Sequence, residues 1–437
     1  MKVSIIGAGL AGSECAYQLL KRGVAVDLYE MKPNKFSPAH HNSNFAELVC
    51  SNSLKSNELN TAGGMLKQEL RSLDSLLIKC ADACAVPAGG ALAVDRDKFS
   101  QMVTDKLKTF DNLNIINDEV TSIPEGIVVI ASGPLTSDNL AKHLSTLFGQ
   151  DYLYFFDAIA PIVEGSSIDY NVAFVGDRYG KGNGDYVNCP MSKDEYLHFW
   201  NELVNGEIVK LKDFENSKVF EGCMPIEVLA KRGMDSMRFG PLRPVGLSNP
   251  HSSEKPYAVV QLRKENIMGD CYNLVGFQTN LTYSEQARIF KLIPGLKDAE
   301  FVRYGTMHKN TYINAPKLLN KNYQLLNNPN IFVAGQLSGV EGYIESISSG
   351  LLTALNVYQL LNNKPMIDFT TSTMVGALSN YLQSASPVNF QPMSANMGLI
   401  PTGNVKIKDK KQKNLILAQK SLEFINKIIN DTSNFCN

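Results

Sequence analysis

Met1-Lys-Val-Ser-Ile-Ile-Gly7-Ala8-Gly9-Leu10-Ala11-Gly12 opens the chain and decides its fold. A short apolar run, Val3 to Ile6, leads into G-x-G-x-x-G, and a helical stretch, Ser13 to Arg22, follows until Gly23 ends it. A second strand, Val24 to Tyr29, finishes on Glu30. Strand, glycines, helix, strand and terminal acid in that order specify a dinucleotide-binding βαβ unit, a far stronger signal than the glycines alone. Gly7 serves the tight turn, Gly9 lets backbone approach a pyrophosphate, and Gly12 lets helix and strand pack closely. The helix N-terminus, with Ala8, Leu10 and Ala11 around it, offers N–H groups and a positive dipole end to phosphates. Glu30 stands where a carboxylate accepts hydrogen bonds from a ribose hydroxyl.

A chain of 437 residues exceeds one ordinary core, so two or three domains are expected. Hydrophobic residues at 44% and charged residues at 19% are ordinary for a globular protein. No run of about 18 apolar residues would span a membrane. The chain begins in its first core strand, which leaves no room for a signal peptide and points to the cytoplasm. A net charge of −1 argues against a globally basic coat, while leaving room for a local basic face. The eight cysteines show no C-x-x-C spacing, and Cys80 with Cys84 lacks the second pair of a zinc site, so no metal is expected. Apart from two discussed below, they read as reduced, buried thiols, Cys15 behind the glycine loop among them. His40 and His41 read as loop surface, and Trp200 as core.

Met31 to Gly64 is a long polar segment, and loops of that length are usually functional. Beyond it the pattern predicts a helix over Met65–Leu77, a strand over Ala91–Val94, a helix over Asp97–Leu107 and a strand over Leu113–Ile116. Gly126-Ile-Val-Val-Ile-Ala-Ser-Gly133 is a buried strand ending on small residues, where flavoproteins pass the chain close to the cofactor. Asn330-Ile-Phe-Val-Ala-Gly335-Gln336 is another strand entering a turn, followed by Gly339, Gly342 and a helix that starts Tyr343-Ile344 and runs to Leu361. That arrangement matches a late flavin-binding element, with the Gln336 amide where an acid is common. Three glycine-bearing elements across the chain point to FAD rather than NAD. The expected fold is α/β: a Rossmann-like FAD-binding domain split in sequence, residues 1–150 and 321–437, with a smaller α+β insertion domain, 151–320, for substrate. Strands are expected there over Asp151–Phe156 and Tyr257–Leu262. The lysine run 406–413 reads as a solvated linker.

The chemistry has to come from elsewhere, and two cysteine strings stand out. Cys50 lies in Ala46-Glu-Leu-Val-Cys-Ser-Asn-Ser-Leu-Lys-Ser56. Cys223 lies in Phe220-Glu-Gly-Cys-Met-Pro-Ile-Glu-Val-Leu-Ala230, followed by Arg232-Gly and Arg238-Phe-Gly-Pro-Leu-Arg-Pro-Val-Gly246. With these strings and the glycine elements the chain resembles, over essentially its full length, the folate- and FAD-dependent uracil-5 RNA methyltransferases, the bacterial family that makes 5-methyluridine in tRNA.

The resemblance implies that methylenetetrahydrofolate hands its one-carbon unit to N5 of reduced FAD, with NAD(P)H as cosubstrate. A thiolate adds to carbon 6 of the uracil and makes carbon 5 nucleophilic, which splits one hard step into two easier ones. It leaves open which thiol attacks the base; the assignment adopted is Cys223 on the base and Cys50 beside the flavin. Lys231 or Arg232 would favour a thiolate, and Glu221 or Glu227 would shuttle a proton. The target base must be flipped out to reach the flavin. Structured RNA would be held by Lys231, Arg232, Arg238, Arg243 and Lys309, together with Arg288. Arg238 and Arg243 have a second reading as structural arginines closing the Phe239-Gly-Pro turn. The sequence leaves tRNA and rRNA open as targets and implies no obligate protein partner. Two other classes compete: a flavin oxidoreductase acting on a small molecule, which a redox cysteine pair would favour, and a non-enzymatic FAD-containing scaffold.

Overall fold

Lys2–Ile6, the strand ahead of the glycine loop, is the middle strand of a five-stranded parallel sheet. Across the sheet the order is Ile331–Val333, Ile127–Ile130, Lys2–Ile6, Ala25–Tyr29 and Leu113–Ile116. Val3, Ile5 and Ile6 are buried, as a parallel sheet covered on both faces requires. The structure, a computed structural model, describes residues 2–431 except 150–152, 181, 183, 210–223, 267, 389 and 404–406.

The first helix spans Leu10–Leu20, three residues ahead of the expected start, because Gly9 is its N-cap and the second half of the glycine motif is already helical. A Cβ on Gly12 would overlap the Gly7 carbonyl, so this glycine sets how closely helix and strand approach. The long helix Tyr343–Leu361, whose bounds agree with the sequence reading, crosses the first helix at Gly350, where a side chain would collide with the Ala11 backbone.

The expected single helix over Met65–Leu77 is two, Ala62–Ser72 and Leu76–Ala83. The break has local causes: Asp74 takes a left-handed backbone (φ 63°), and the Ser75 hydroxyl accepts the Ile78 N–H as N-cap. Glu14, fully buried on the first helix, adds a distant one by accepting the Leu77 N–H (3.0 Å) and the Ser75 hydroxyl (2.8 Å). Glu69 does the same for Met374–Ser384, accepting the Met374 and Val375 N–H groups at 2.8 and 2.9 Å. The polar segment after residue 30 is not wholly loop: Ser53–Ser56 pairs with Ala91–Val94 in a small three-stranded sheet.

Two antiparallel strands, Leu153–Ala158 and Met307–Tyr312, pair from Leu153↔Tyr312 to Met307↔Ala158. They carry the chain out to a second body and back. That body is a six-stranded antiparallel sheet in the order Phe174–Val175, Tyr186–Met191, Ala258–Lys264, Cys271–Leu274, Ile162–Glu164 and Phe301–Arg303. Helices Lys193–Asn205 and Tyr283–Phe290 accompany it, the former started by a Ser192–Glu195 capping box. Each body has its own core, one drawing on residues 3–148 and 312–425 and the other on residues 160–299. Trp200 packs on the second core and donates to the Ala230 carbonyl at 3.1 Å. The second half of the lysine run is the exposed start of a helix, Lys410–Asp431, not a linker; Lys406 lies outside the described residues.

Candidate active site

A cleft with about 1110 Å³ of empty space opens at the carboxyl ends of the parallel strands, the position where open α/β sheets bind ligands. Gly7, Ala8, Gly9, Leu10, Ala11, Glu30, Gly335, Gln336 and Tyr343 line it, with Ser132 and Gly133 from the end of the 127–130 strand.

Among the described helices longer than six residues, capping sets this cleft apart. Thr61, Ser75, Asp95, Ser137, Ser192, Thr282 and Thr373 each cap a helix with a side-chain oxygen. The two helices that start at the cleft have glycine N-caps, Gly9 and Gly342, and no side-chain cap bond. At the Gly9 start the first N–H groups are left for an external acceptor, and a phosphate is the natural one. A Cβ built on Gly9 meets nothing within 4 Å, so the cradle is open where a pyrophosphate would lie. A dinucleotide such as FAD fits these residues. Glu30 is buried, and its oxygens accept the Ala8 N–H (2.9 Å) and Lys32 N–H (3.1 Å), which fixes it at the cleft wall.

Several glycine-motif residues serve packing instead. Gly12 sits behind the wall; a side chain on Gly339 would strike the Phe390 ring; Ile344 is fully buried in the first core. Gly342 is the helix cap, and the Gln336 amide donates to Glu341 (2.6 Å). Sequence reasoning missed Lys32, Glu47, Asp118–Val120, Pro134–Ser137 and Leu140 on the wall, and His40, read as loop surface, also lines it. His41 is exposed as expected.

Cys50 directly follows Val49, which lines the cleft. Its segment is bracketed by two non-glycine residues in left-handed conformation, Ala46 (φ 52°) and Lys55 (φ 64°), and is tied to the glycine loop by the Ala46 N–H donating to the Ala8 carbonyl. Tyr343, on the cleft wall, accepts the Cys50 N–H (2.8 Å) and Ser51 N–H (3.2 Å) on its phenol oxygen. Burial pushes that phenol up, so it stays protonated.

Three guanidiniums surround the same segment. Arg96 donates to the Leu48 and Cys50 carbonyls (2.8 and 2.9 Å), Arg303 reaches the Cys50 carbonyl (3.3 Å), and Arg263 holds Ser51 Oγ (2.8 Å) and Asn52 Oδ1 (2.9 Å). The carboxylate among them is Glu265, paired with Arg96 at 2.5 Å. Burial, with Arg96 alongside, pushes the Arg303 guanidinium down to about 10, still protonated at neutral pH. Three cations against one anion, in a half-buried setting, favour a further negative charge here.

The glucose-inhibited division protein A family model matches residues 2–365. Over 432 residues the chain is 56% identical to the methylenetetrahydrofolate--tRNA-(uracil-5-)-methyltransferase TrmFO of Acetivibrio thermocellus, covering 99% of both chains. It is 53% identical to the TrmFO of Bacillus subtilis, over 98% of both. The chain belongs to the TrmFO family. Among solved structures, GidA of Aquifex aeolicus superposes with a TM-score of 0.67 at 14% identity, over 98% of this chain and 75% of that one, a likeness of fold.

The other residues expected to act in this family member fall in different places. Cys223 and Glu221 lie outside the described residues. Glu227, expected to shuttle a proton, is buried and accepts Thr279 Oγ1 (2.9 Å) and the Asn280 N–H (2.8 Å), bolting the short helix Ile226–Lys231 to the core. Lys231 and Arg232 are exposed at that helix's end. Arg238 is structural: it pairs with Asp235 (2.6 Å), donates to the Tyr257 carbonyl (2.9 Å) and lies 3.5 Å over the Tyr257 ring. Arg243, in contrast, is exposed. Arg288 is spent on Glu202 and Glu285. Lys309 lies on the returning ribbon strand, and its side chain is outside the described residues.

The Arg96–Arg263–Arg303 cluster was missed altogether. Its members come from a helix start and the ends of two strands, and no sequence spacing announces them.

Proposed function

We propose that this protein methylates carbon 5 of a uridine in tRNA, with FAD in the glycine-lined cleft, methylenetetrahydrofolate as carbon donor and NAD(P)H as reductant. One observation carries the reading: the Cys50 backbone hangs on Tyr343 of the cofactor cleft while three arginines enclose it. A simple dinucleotide dehydrogenase has no use for a cysteine loop held in that way. The names of the 51–56% identical relatives favour tRNA over ribosomal RNA.

The chemistry a bound, reduced FAD supplies is a nucleophilic N5 and a hydride. This chain's residues do the rest. The uncapped N–H groups after Gly9 hold the phosphates, and Glu30 takes the ribose. Tyr343 fixes the Cys50 loop against the cleft, and the arginine cluster holds the Cys50 region ready for an anion. Cys223 adds to carbon 6 of the flipped-out uracil, which makes carbon 5 nucleophilic.

Carbon labelling tests the reading. Labelled methylene carbon from the folate, with tRNA and NAD(P)H present, should appear in 5-methyluridine without S-adenosylmethionine. Label arriving from S-adenosylmethionine alone would overturn it.

A further inference from the structure

The face of the six-stranded sheet turned toward the Cys50 loop carries a second pair of cations. On the Ala258–Lys264 strand, Gln261 and Arg263 project to the same side, two residues apart, or about 7 Å. Arg263 holds Ser51 and Asn52 beside Cys50. Gln261 accepts Arg178 Nε at 2.9 Å, and Arg178 Nη1 donates to the carbonyls of Arg243 and Val245. Arg178 and Arg243 thus stand together, and neither forms an ion pair with a described carboxylate. Burial and the charge of Arg243 both lower the Arg178 affinity for its proton. The adjacent Asp177 turns away from them: its oxygens accept the Gly184 and Asp185 N–H groups (2.6 and 3.1 Å) and it is in no ion pair with either arginine. Two guanidiniums left uncompensated in this way call for an anion from outside.

Next to Arg178 in the chain is Tyr179, a non-glycine residue with φ 61° and ψ 22°, a conformation that costs energy and clusters at functional sites. Its N–H donates to the Gly246 carbonyl (2.8 Å), and its ring lies so close on Gly246 that a Cβ there would come within 2.9 Å of it. The ring is nevertheless 60% exposed. A held aromatic face beside two cations fits one nucleotide of a single strand, base on ring and phosphate on guanidinium.

We infer that Arg178, Tyr179 and Arg243 form a nucleotide-binding subsite for the RNA loop that carries the target uridine, on the same sheet face as Gln261 and as Arg263, which holds the Cys50 loop. The inference rests on the tRNA reading above. It replaces Arg238, whose charge is paired with Asp235, with Arg178, which has only neutral acceptors, and it adds a base-stacking residue that the sequence did not announce.

The test measures tRNA affinity over a salt series for the flavin-loaded protein and for Tyr179→Gly, Tyr179→Phe and Arg243→Gln. Glycine accepts φ 61° without strain, so Tyr179→Gly should melt no lower than the parent. It should nonetheless bind tRNA about tenfold more weakly, as loss of one stacked base predicts. Tyr179→Phe keeps the ring and should bind like the parent. Arg243→Gln should lower the slope of log affinity against log salt by about 1. Flavin content and the KM for folate should be unchanged in all three. Parent-like tRNA affinity and salt slope in both Tyr179→Gly and Arg243→Gln would overturn the subsite. So would a raised folate KM with tRNA binding intact, since the anion would then be a folate carboxylate. A parent protein that binds no tRNA would overturn the tRNA reading and the subsite together.

Discussion

The cofactor cleft and the arginine-lined face of the inserted sheet meet at Cys50, yet they are built from opposite materials. The cleft is backbone: glycines, uncapped helix N-termini and N–H groups, with Glu30 and Tyr343 the main side chains that position anything. The sheet side is side chain: Arg263 and Arg303 from its strands, Arg178 from the turn after its edge strand and Arg96 from a facing helix, each held by carbonyls and amides from other parts of the chain. A site made of backbone is damaged by adding atoms, whereas a site made of guanidiniums is damaged by removing charge.

The strongest test of this contrast sets Gly9→Trp against Cys50→Ala. Gly9→Trp has space for its Cβ, so the fold should survive, but the indole fills the phosphate cradle and the purified protein should lack its flavin absorbance band. Cys50→Ala should keep that band and lose methyl transfer by on the order of 10³-fold or more, as loss of a residue acting within a catalytic unit does. A yellow Gly9→Trp protein, or a Cys50→Ala protein with parent-like turnover, breaks the comparison.

A smaller effect is expected from charge removal alone. Arg303→Gln keeps an amide able to reach the Cys50 carbonyl but deletes one of three cations. Alkylation of Cys50 by iodoacetamide at neutral pH, followed by peptide mass, should slow by about fivefold, since the thiolate is the reacting form. Flavin content should not move. An unchanged alkylation rate would mean that the arginines only hold the loop.

The smallest effect concerns the scaffold under the cleft. Burial pushes the Glu69 carboxyl up to about 7, against the bonds from Ser421, Met374 and Val375 that pull it down. With the folded value above the unfolded one, the folded state holds a proton that the unfolded chain has released. Stability therefore falls as pH rises from about 4.5 toward about 7 and levels off above, by about 3 kcal/mol across the window. Glu69→Gln, which cannot titrate, should flatten that part of a denaturation-midpoint profile, with flavin binding at neutral pH retained. A profile with the parent's slope would assign the pH dependence to another group.

Legibility followed the same division. The βαβ unit, the strand at 127–130 and the helix Tyr343–Leu361 could be read because each is written in adjacent residues: a hydrophobic period, a glycine where backbone must come close, a cap or its absence. The misreadings were long-range. Met65–Leu77 looked like one helix because its break is fixed partly by Glu14, 61 residues from Ser75. Nothing near Glu227 in the sequence shows that Thr279 and Asn280 occupy its oxygens. Arg238 looked like an RNA contact until Tyr257 and Asp235 were seen to claim it.

By itself the sequence determined the nucleotide-binding half and marked Cys50, since backbone geometry and short motifs are local properties of a chain. Only the tertiary structure decided which arginines gather at Cys50 and which are spent on internal carboxylates. Charge proximity depends on the packing of elements far apart in the chain, as the Arg303–Cys50 contact shows with its separation of 253.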